Sequence, residues 1–259
     1  MKRIVVLHLH FEDTWEDFVQ AIENICPNEI LITTTLTEKI DLIILKRFPH
    51  AKIFHLENRG RDIYPLIYLA KRNYFSSQAI VWKLHSKKST HLLKGNNWRK
   101  RLIRSLSSPS RIIEIMEIFS DGRTSMVGDF NSMKMISKET IAEHLDLYTK
   151  WSIDLGVDIR QFDNFYFVGT FFVVKSNVLD DLKNLNLDIN NFLLERKYNN
   201  FSKTFALKLY LLNFFRSYGL FTTSYMKLDK STRPASQETY AMEAFLGFMA
   251  KKFGEIRGI

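Results

Sequence analysis

AKIFHLENRGRDIYPLIYLAKRNYF, residues 51–75, runs from a short strand signal, AKIFHLE, through two arginines, a glycine and an aspartate into a helical pattern. Pro65 falls in the first turn of that pattern, where proline is tolerated because its missing N–H would have no intrahelical partner, and Asp62 stands near the start. Strand, charged loop and helix in that order are part of a parallel α/β unit, and the flanking sequence supplies the rest. RIVVLHLH (3–10), EILITTT (29–35) and AIVWKLHS (79–86) carry the same strand signal. DTWEDFVQAIENI (13–25) and EKIDLIILKRF (38–48) read as helices between them, the first with Trp15, Phe18, Ile22 and Ile25 on one face. The alternation from residue 1 to about 90 predicts a right-handed, mostly parallel sheet.

Beyond residue 90 the rhythm turns more helical. NNWRKRLIRSL (96–106), PSRIIEIMEIFSD (109–121) and SKETIAEHLDLYTKWSIDLG (137–156) read as three helices. TSMVGDF (124–130) and FYFVGTFFVVK (165–175) read as strands, and NFSKTFALKLYLLNFFRSYG (200–219), LFTTSYMKL (220–228) and QETYAMEAFLGFMAKKFG (237–254) as helix, strand and helix. No repeat or Gly/Ser linker divides the chain, so one domain is expected over 1–259, with an α/β half to residue 90 and a second half, 91–259, ending in a helical region.

At 259 residues and 46% hydrophobic content the chain can bury a sizeable core. The single Cys26 excludes an internal disulfide framework and suits a reducing compartment, so the cytoplasm is the expected location. The N-terminal apolar run is short and broken by histidines, which reads as a strand and not a signal peptide. No stretch approaches the roughly 20 apolar residues of a membrane span. The net charge of +9 calls for an anionic partner: nucleic acid, anionic lipid or a phosphorylated substrate.

In an open parallel sheet, ligands bind beyond the carboxyl ends of the strands. The unusual residues fall there: His8 and His10 after the first strand, Asn58, Arg59, Gly60, Arg61 and Asp62 after the third, Lys83, His85, Lys87 and Lys88 at the fourth. Cationic side chains beside helix N-termini suit phosphate oxygens. No G-x-x-x-x-G-K-[ST], G-x-G-x-x-G or Asp-x-Asp occurs; KLHSK stands where an Asp-x-Asp would be expected at a strand end. Protein cations can stabilise a departing diphosphate as a metal would, so a metal-independent site with no bound cofactor is expected.

At this point NRGRDIYP (58–65), KLHSKKS (83–89) with GNNWR (95–99), FVGTFFVVKSNVL (167–179) and TYAMEAFLG (239–247) together resemble, in order, segments of the rhamnan synthesis F family of bacterial polysaccharide glycosyltransferases. The resemblance implies a GT-A-like fold and transfer of rhamnose or a related sugar from a nucleotide-sugar donor to a lipid-linked surface glycan, at the inner face of the cell membrane. It carries over Asn58, Arg59, Gly60, Arg61, Asp62, Lys83, His85, Lys87, Lys88, Gly95, Trp98, Arg99, Gly169, Thr170, Glu243 and Gly247. Ser86 replaces a threonine, Val173 and Val174 replace a more aromatic continuation, and Ala244 stands where the family carries arginine.

Each residue also has a plainer reading. Asp62 could cap its helix, Arg59 and Arg61 could be solvated loop charges, His85 a structural histidine, Trp98 core, and Gly169 a packing glycine. The acceptor hydroxyl's proton needs a carboxylate or imidazole in reach, and Asp62, Asp129, Glu195, Glu238 and Glu243 qualify by type, with Asp129 at a strand end and Glu243 in a matching block. The basic, aromatic tail could rest on anionic lipid or be a solvated helix face. Two further functions stay open: a nucleic-acid-binding protein using Lys83 to Arg104, which carries few aromatics for base stacking, and a non-catalytic subunit of a polysaccharide assembly complex.

Overall fold

The structure is a computed structural model, and it describes residues 1–76, 78–86, 95–160, 164–192 and 236–259. Three β-α steps and a fourth strand build the first half as the strand and helix signals predict: β1 (Lys2–Leu9), α1 (Trp15–Ile25), β2 (Glu29–Thr34), α2 (Lys39–Arg47), β3 (Lys52–His55), α3 (Ile63–Lys71) and β4 (Ala79–His85). α4 (Gly95–Ser107), α5 (Pro109–Ser120) and β5 (Thr124–Gly128) follow. The main sheet has seven strands in the order β3-β2-β1-β4-β8-β5-β9, where β8 is Phe172–Lys175 and β9 is Glu255–Gly258. β8 alone runs against its neighbours β4 and β5, and the other strand pairs are parallel. This is the expected α/β class, a mostly parallel sheet of GT-A-like type with flanking helices.

Parallel strands covered on both faces are apolar on both, because successive side chains point to opposite sides. β1 and β4 divide accordingly. Ile4, Val6 and Val81 belong to a core shared with α3, α7 (Leu145–Leu155), α8 (Ser176–Asp180) and the C-terminal helix α9 (Gln237–Phe253). Val5, Leu7, Ile80, Trp82 and Leu84 belong to a second core under α1, α2, α4 and α5. The register sets Val6 beside Lys83 and His8 beside His85, so the first face turns from apolar to polar at the carboxyl end of the sheet.

Two expectations are corrected, and one strand lies where none was expected. FYFVGTFFVVK is not one strand: β7 (Phe165–Phe167) pairs with β6 (Met133–Met135) in a separate antiparallel ribbon, and β8 joins the main sheet. Gly169 at φ +89° and Thr170 at φ +54° break the run, and this backbone conformation cannot continue a strand. The helix expected over 137–156 is two, α6 (Lys138–Glu143) and α7, parted at His144. EIRG, at the end of the basic tail, is the edge strand β9, held by the Glu255 N–H donating to the Arg123 carbonyl at 2.8 Å. The helix at 200–219, the strand at 220–228, Lys87, Lys88 and Glu195 lie outside the described residues. Among the described residues no helix is long and apolar enough to cross a membrane.

α9 crosses β7 at Gly247, where an added Cβ would drive into the Phe165 carbonyl oxygen. Helix propensity alone would make Gly247→Ala stabilising by roughly 1 kcal/mol. The contact reverses the sign: denaturant titration should show a loss of about 1–3 kcal/mol, as expected for an overpacked site.

Candidate functional site

β4 is buried along its whole length, and Lys83 lies in its interior at 1% exposure. A lysine cannot stay charged there without a partner. Its ammonium donates to Asp62 Oδ2 and, at 2.9 Å, to the Thr170 hydroxyl; the same hydroxyl donates to Asp62 Oδ2. His85, two residues along the same face, places Nε2 2.6 Å from the Gly169 carbonyl oxygen, which assigns the proton to Nε2, and Nδ1 3.6 Å from Asp62 Oδ1. Glu243 of α9 accepts the Gly169 N–H at 2.6 Å. The Gly169 peptide is thus held from both sides, and four distant segments meet at one point.

Asp62 does not cap α3: it occupies the N-cap position, but its side chain makes no cap hydrogen bond and turns inward to Lys83 and Thr170. Burial pushes its pKa up. The neighbouring His85 and Lys83 charges and the bonds from Lys83 and Thr170 outweigh burial and hold the carboxyl well below the usual range. His8, buried on the same face and 3.1 Å from the Thr33 hydroxyl, goes the other way: burial first, then the charges of Lys83 and His10, lower it to about 3, so its imidazole is neutral near pH 7.

The loop before α3 is bound tightly. Gly60 (φ +57°) and Arg61 (φ +52°) both take the left-handed conformation, and a Cβ at Gly60 would collide with Phe192 and Tyr64. The Gly60 carbonyl accepts from Ile63 and Tyr64, which starts the helix. Arg59 donates to the Phe192 carbonyl at 2.7 Å, and the Arg61 guanidinium lies 5.4 Å from the centre of the Tyr240 ring. Asn58 is half-buried in the same loop. Ser86, noted in the sequence only as a departure from threonine, accepts the N–H groups of His10 and Phe11 and so ties the end of β1 to the end of β4. Ser86 and Tyr240 stand inside the blocks KLHSKKS and TYAMEAFLG, but neither was among the residues carried over to the site.

The remaining candidates are elsewhere. Asp129 follows Val127 by two positions and so shares that residue's side of the sheet, the one facing α4, where Arg101 donates to it at 3.2 Å. Arg99 on α4 is buried and paired with Asp17 of α1 at 2.6 Å. Trp98 packs against the second core. Only Asp129 was expected at the strand-end rim; the sheet separates all three residues from the Asp62 network. Among the described residues no group of three or more His, Cys, Asp or Glu side chains is arranged to hold a metal ion.

A mostly parallel α/β sheet with a buried ionic network at the carboxyl ends of its strands is consistent with a GT-A-like fold. The family model described as rhamnan synthesis protein F matches residues 1–211, and the chain belongs to that family. Two curated relatives, each called uncharacterized protein WxcX, come from two strains of Xanthomonas campestris pv. campestris. They are 31% identical to this chain over 191 and 192 residues, covering 73% of it. The chain spans 28% of the length of either relative.

Removing one partner from a buried ion pair leaves an uncompensated charge at a cost of about 3–5 kcal/mol. Asp62→Asn and Lys83→Met should each destabilise by that order, and the double variant should lose less than the sum, by at least about 1 kcal/mol of coupling in denaturant titrations. His8 makes a second prediction. Its folded pKa of about 3 lies below the ordinary 6.5, so between these values the unfolded chain binds a proton that the folded chain refuses. Stability attributable to His8 therefore falls as pH drops through that window, by up to about 1.4 kcal/mol per pH unit, and His8→Asn should show a shallower decline between pH 6.5 and 4.

Proposed function

We propose that the chain is a glycosyltransferase domain that moves a sugar, rhamnose or a related one, from a nucleotide-sugar donor to a lipid-linked glycan in bacterial polysaccharide synthesis. The observation that carries this reading is the buried network of Asp62, Lys83, His85, Thr170 and Glu243 in a member of the rhamnan synthesis protein F family. The family description supports polysaccharide synthesis as the setting; donor, acceptor and catalysis belong to the proposal.

In this reading the network positions two loops and does not itself grip the donor. Lys83 is spent on Asp62, and Thr170 bonds to both. The braced Arg59–Arg61 loop supplies guanidinium groups for the donor phosphates, since a planar fork of donors suits paired phosphate oxygens. No metal is assigned to the diphosphate. A general base needs a pKa near the working pH, and Asp62, held strongly acidic, is a poor one. Asp129 is on the other side of the sheet with Arg101. Glu243 is partly exposed beside the Gly169 turn, and we assign it the acceptor proton.

The test is turnover with a nucleotide-sugar and a synthetic lipid-linked acceptor, read together with donor affinity. Arg59→Ala and Arg61→Ala should weaken donor binding about tenfold or more with the fold intact, as for a lost charged hydrogen bond. Glu243→Gln keeps an oxygen for the Gly169 N–H but no basicity, so it should lower kcat by about 100-fold or more with donor affinity unchanged. Turnover should survive EDTA. No transfer to any acceptor despite tight donor binding would favour a non-catalytic subunit.

A further inference from the structure

The outward stripe of α4 carries Asn97, Lys100, Arg101, Arg104 and Ser105, spaced three and four residues apart and followed by Ser108 just past its end, while Leu102, Ile103 and Leu106 face the core. A stripe of this kind is ordinarily a solvated helix face. Here it forms one wall of a groove of about 560 Å³, closed by Arg111 of α5 and by Asp129 and Asn131 after β5. Four cations line the groove against one carboxylate. Arg101 is engaged by Asp129 at 3.2 Å, Lys100 lies 3.7 Å from Asp17, and Arg111 pairs with Glu114 at 2.5 Å. Arg104 makes no ion pair among the described residues, and it is exposed. The groove is on the α4 side of the sheet, away from the Asp62 network.

We infer that this groove is a second anion site, for a group bearing two closely spaced phosphates. Lys100, Arg104 and Arg111 supply charge to more than one phosphoryl group, and the volume exceeds what a single phosphate fills. Ser108 and Asn131 add neutral donors. The wall holds no aromatic ring on which a nucleobase could stack, which disfavours a nucleotide or a nucleic acid as occupant. Asp129, buried and held by Arg101, fixes that guanidinium and limits the groove's charge, so the remaining cations select for a multiply charged ligand. The diphosphate can come free or as the head of a polyprenyl lipid. The inference does not depend on sugar transfer at the other site.

The experiment measures binding of inorganic pyrophosphate and of orthophosphate to the full chain by calorimetry at two salt concentrations. Pyrophosphate should bind more tightly, and Arg104→Glu should weaken it by about tenfold or more with an unchanged melting temperature. Arg160→Glu, a reversal at an exposed position remote from the groove, should leave it unaltered. Zwitterionic vesicles with and without a polyprenyl diphosphate separate the sources. Sedimentation of the chain with the diphosphate vesicles, competed by pyrophosphate, assigns the lipid head; free pyrophosphate binding without sedimentation assigns the soluble anion. Equal loss in Arg160→Glu and Arg104→Glu would reduce the effect to overall charge and overturn the site. So would tighter Arg104-dependent binding of a single-stranded oligonucleotide.

Discussion

Lys83 sits in the middle of a strand buried on both faces, and its charge is tolerable only because Asp62 and Thr170 meet it there. Desolvating either charge costs several kcal/mol, and the mutual attraction offsets that only in a geometry where the remaining lone pairs and protons are also bonded. The pair therefore dictates more than its own position. It draws the start of α3 onto the end of β4, and Thr170 brings the turn before β8 to the same point. A slip of β4 by one residue would put Lys83 among the apolar side chains of the opposite face, so the ion pair also guards the register.

Backbone strain gathers around this pair. Arg61 and Thr170 are non-glycine residues at positive φ, each beside a glycine that shares the conformation. Such residues cost on the order of 1–3 kcal/mol and persist only where surrounding bonds over-determine them. Here the surrounding bonds are visible: Gly60 accepts from two helical N–H groups, Gly169 is held through both its N–H and its carbonyl, and Phe192 closes over Gly60. Pre-organised loops of this kind suit a site that must meet a charged ligand without rearranging.

The chain's positive charge is divided by the sheet. On one face Lys83 and His85 are consumed by Asp62 and Gly169; on the other Arg99 is consumed by Asp17. On that second face the stripe of Lys100, Arg101 and Arg104 turns outward, and of the three Arg104 makes no ion pair among the described residues. A net charge of +9 announces an anionic partner but says nothing of where its cations are already neutralised.

Much of the first half of the fold was legible because its signals are local. Alternating strand and helix periods, Pro65 in a first turn and apolar runs at β1 and β4 each state their own conformation, and they agree. The site residues Asp62, Lys83, His85, Gly169, Thr170 and Glu243 also stood out, through their charge at strand ends and through the ordered family blocks. What the sequence could not decide was how they meet. Which way Asp62 points depends on Lys83, 21 residues away, and on Thr170, 108 residues away. The break in FYFVGTFFVVK and the strand EIRG depend on partners in β6 and β5, since four residues with one clear apolar position carry no period of their own. Sequence position put Asp129 and Lys83 alike at strand ends, whereas the alternation of side chains across the sheet sent them to opposite faces. Local pattern sets conformation and residue type; burial and pairing across long separations, which only the folded chain supplies, decide which charge is spent and which is left to bind.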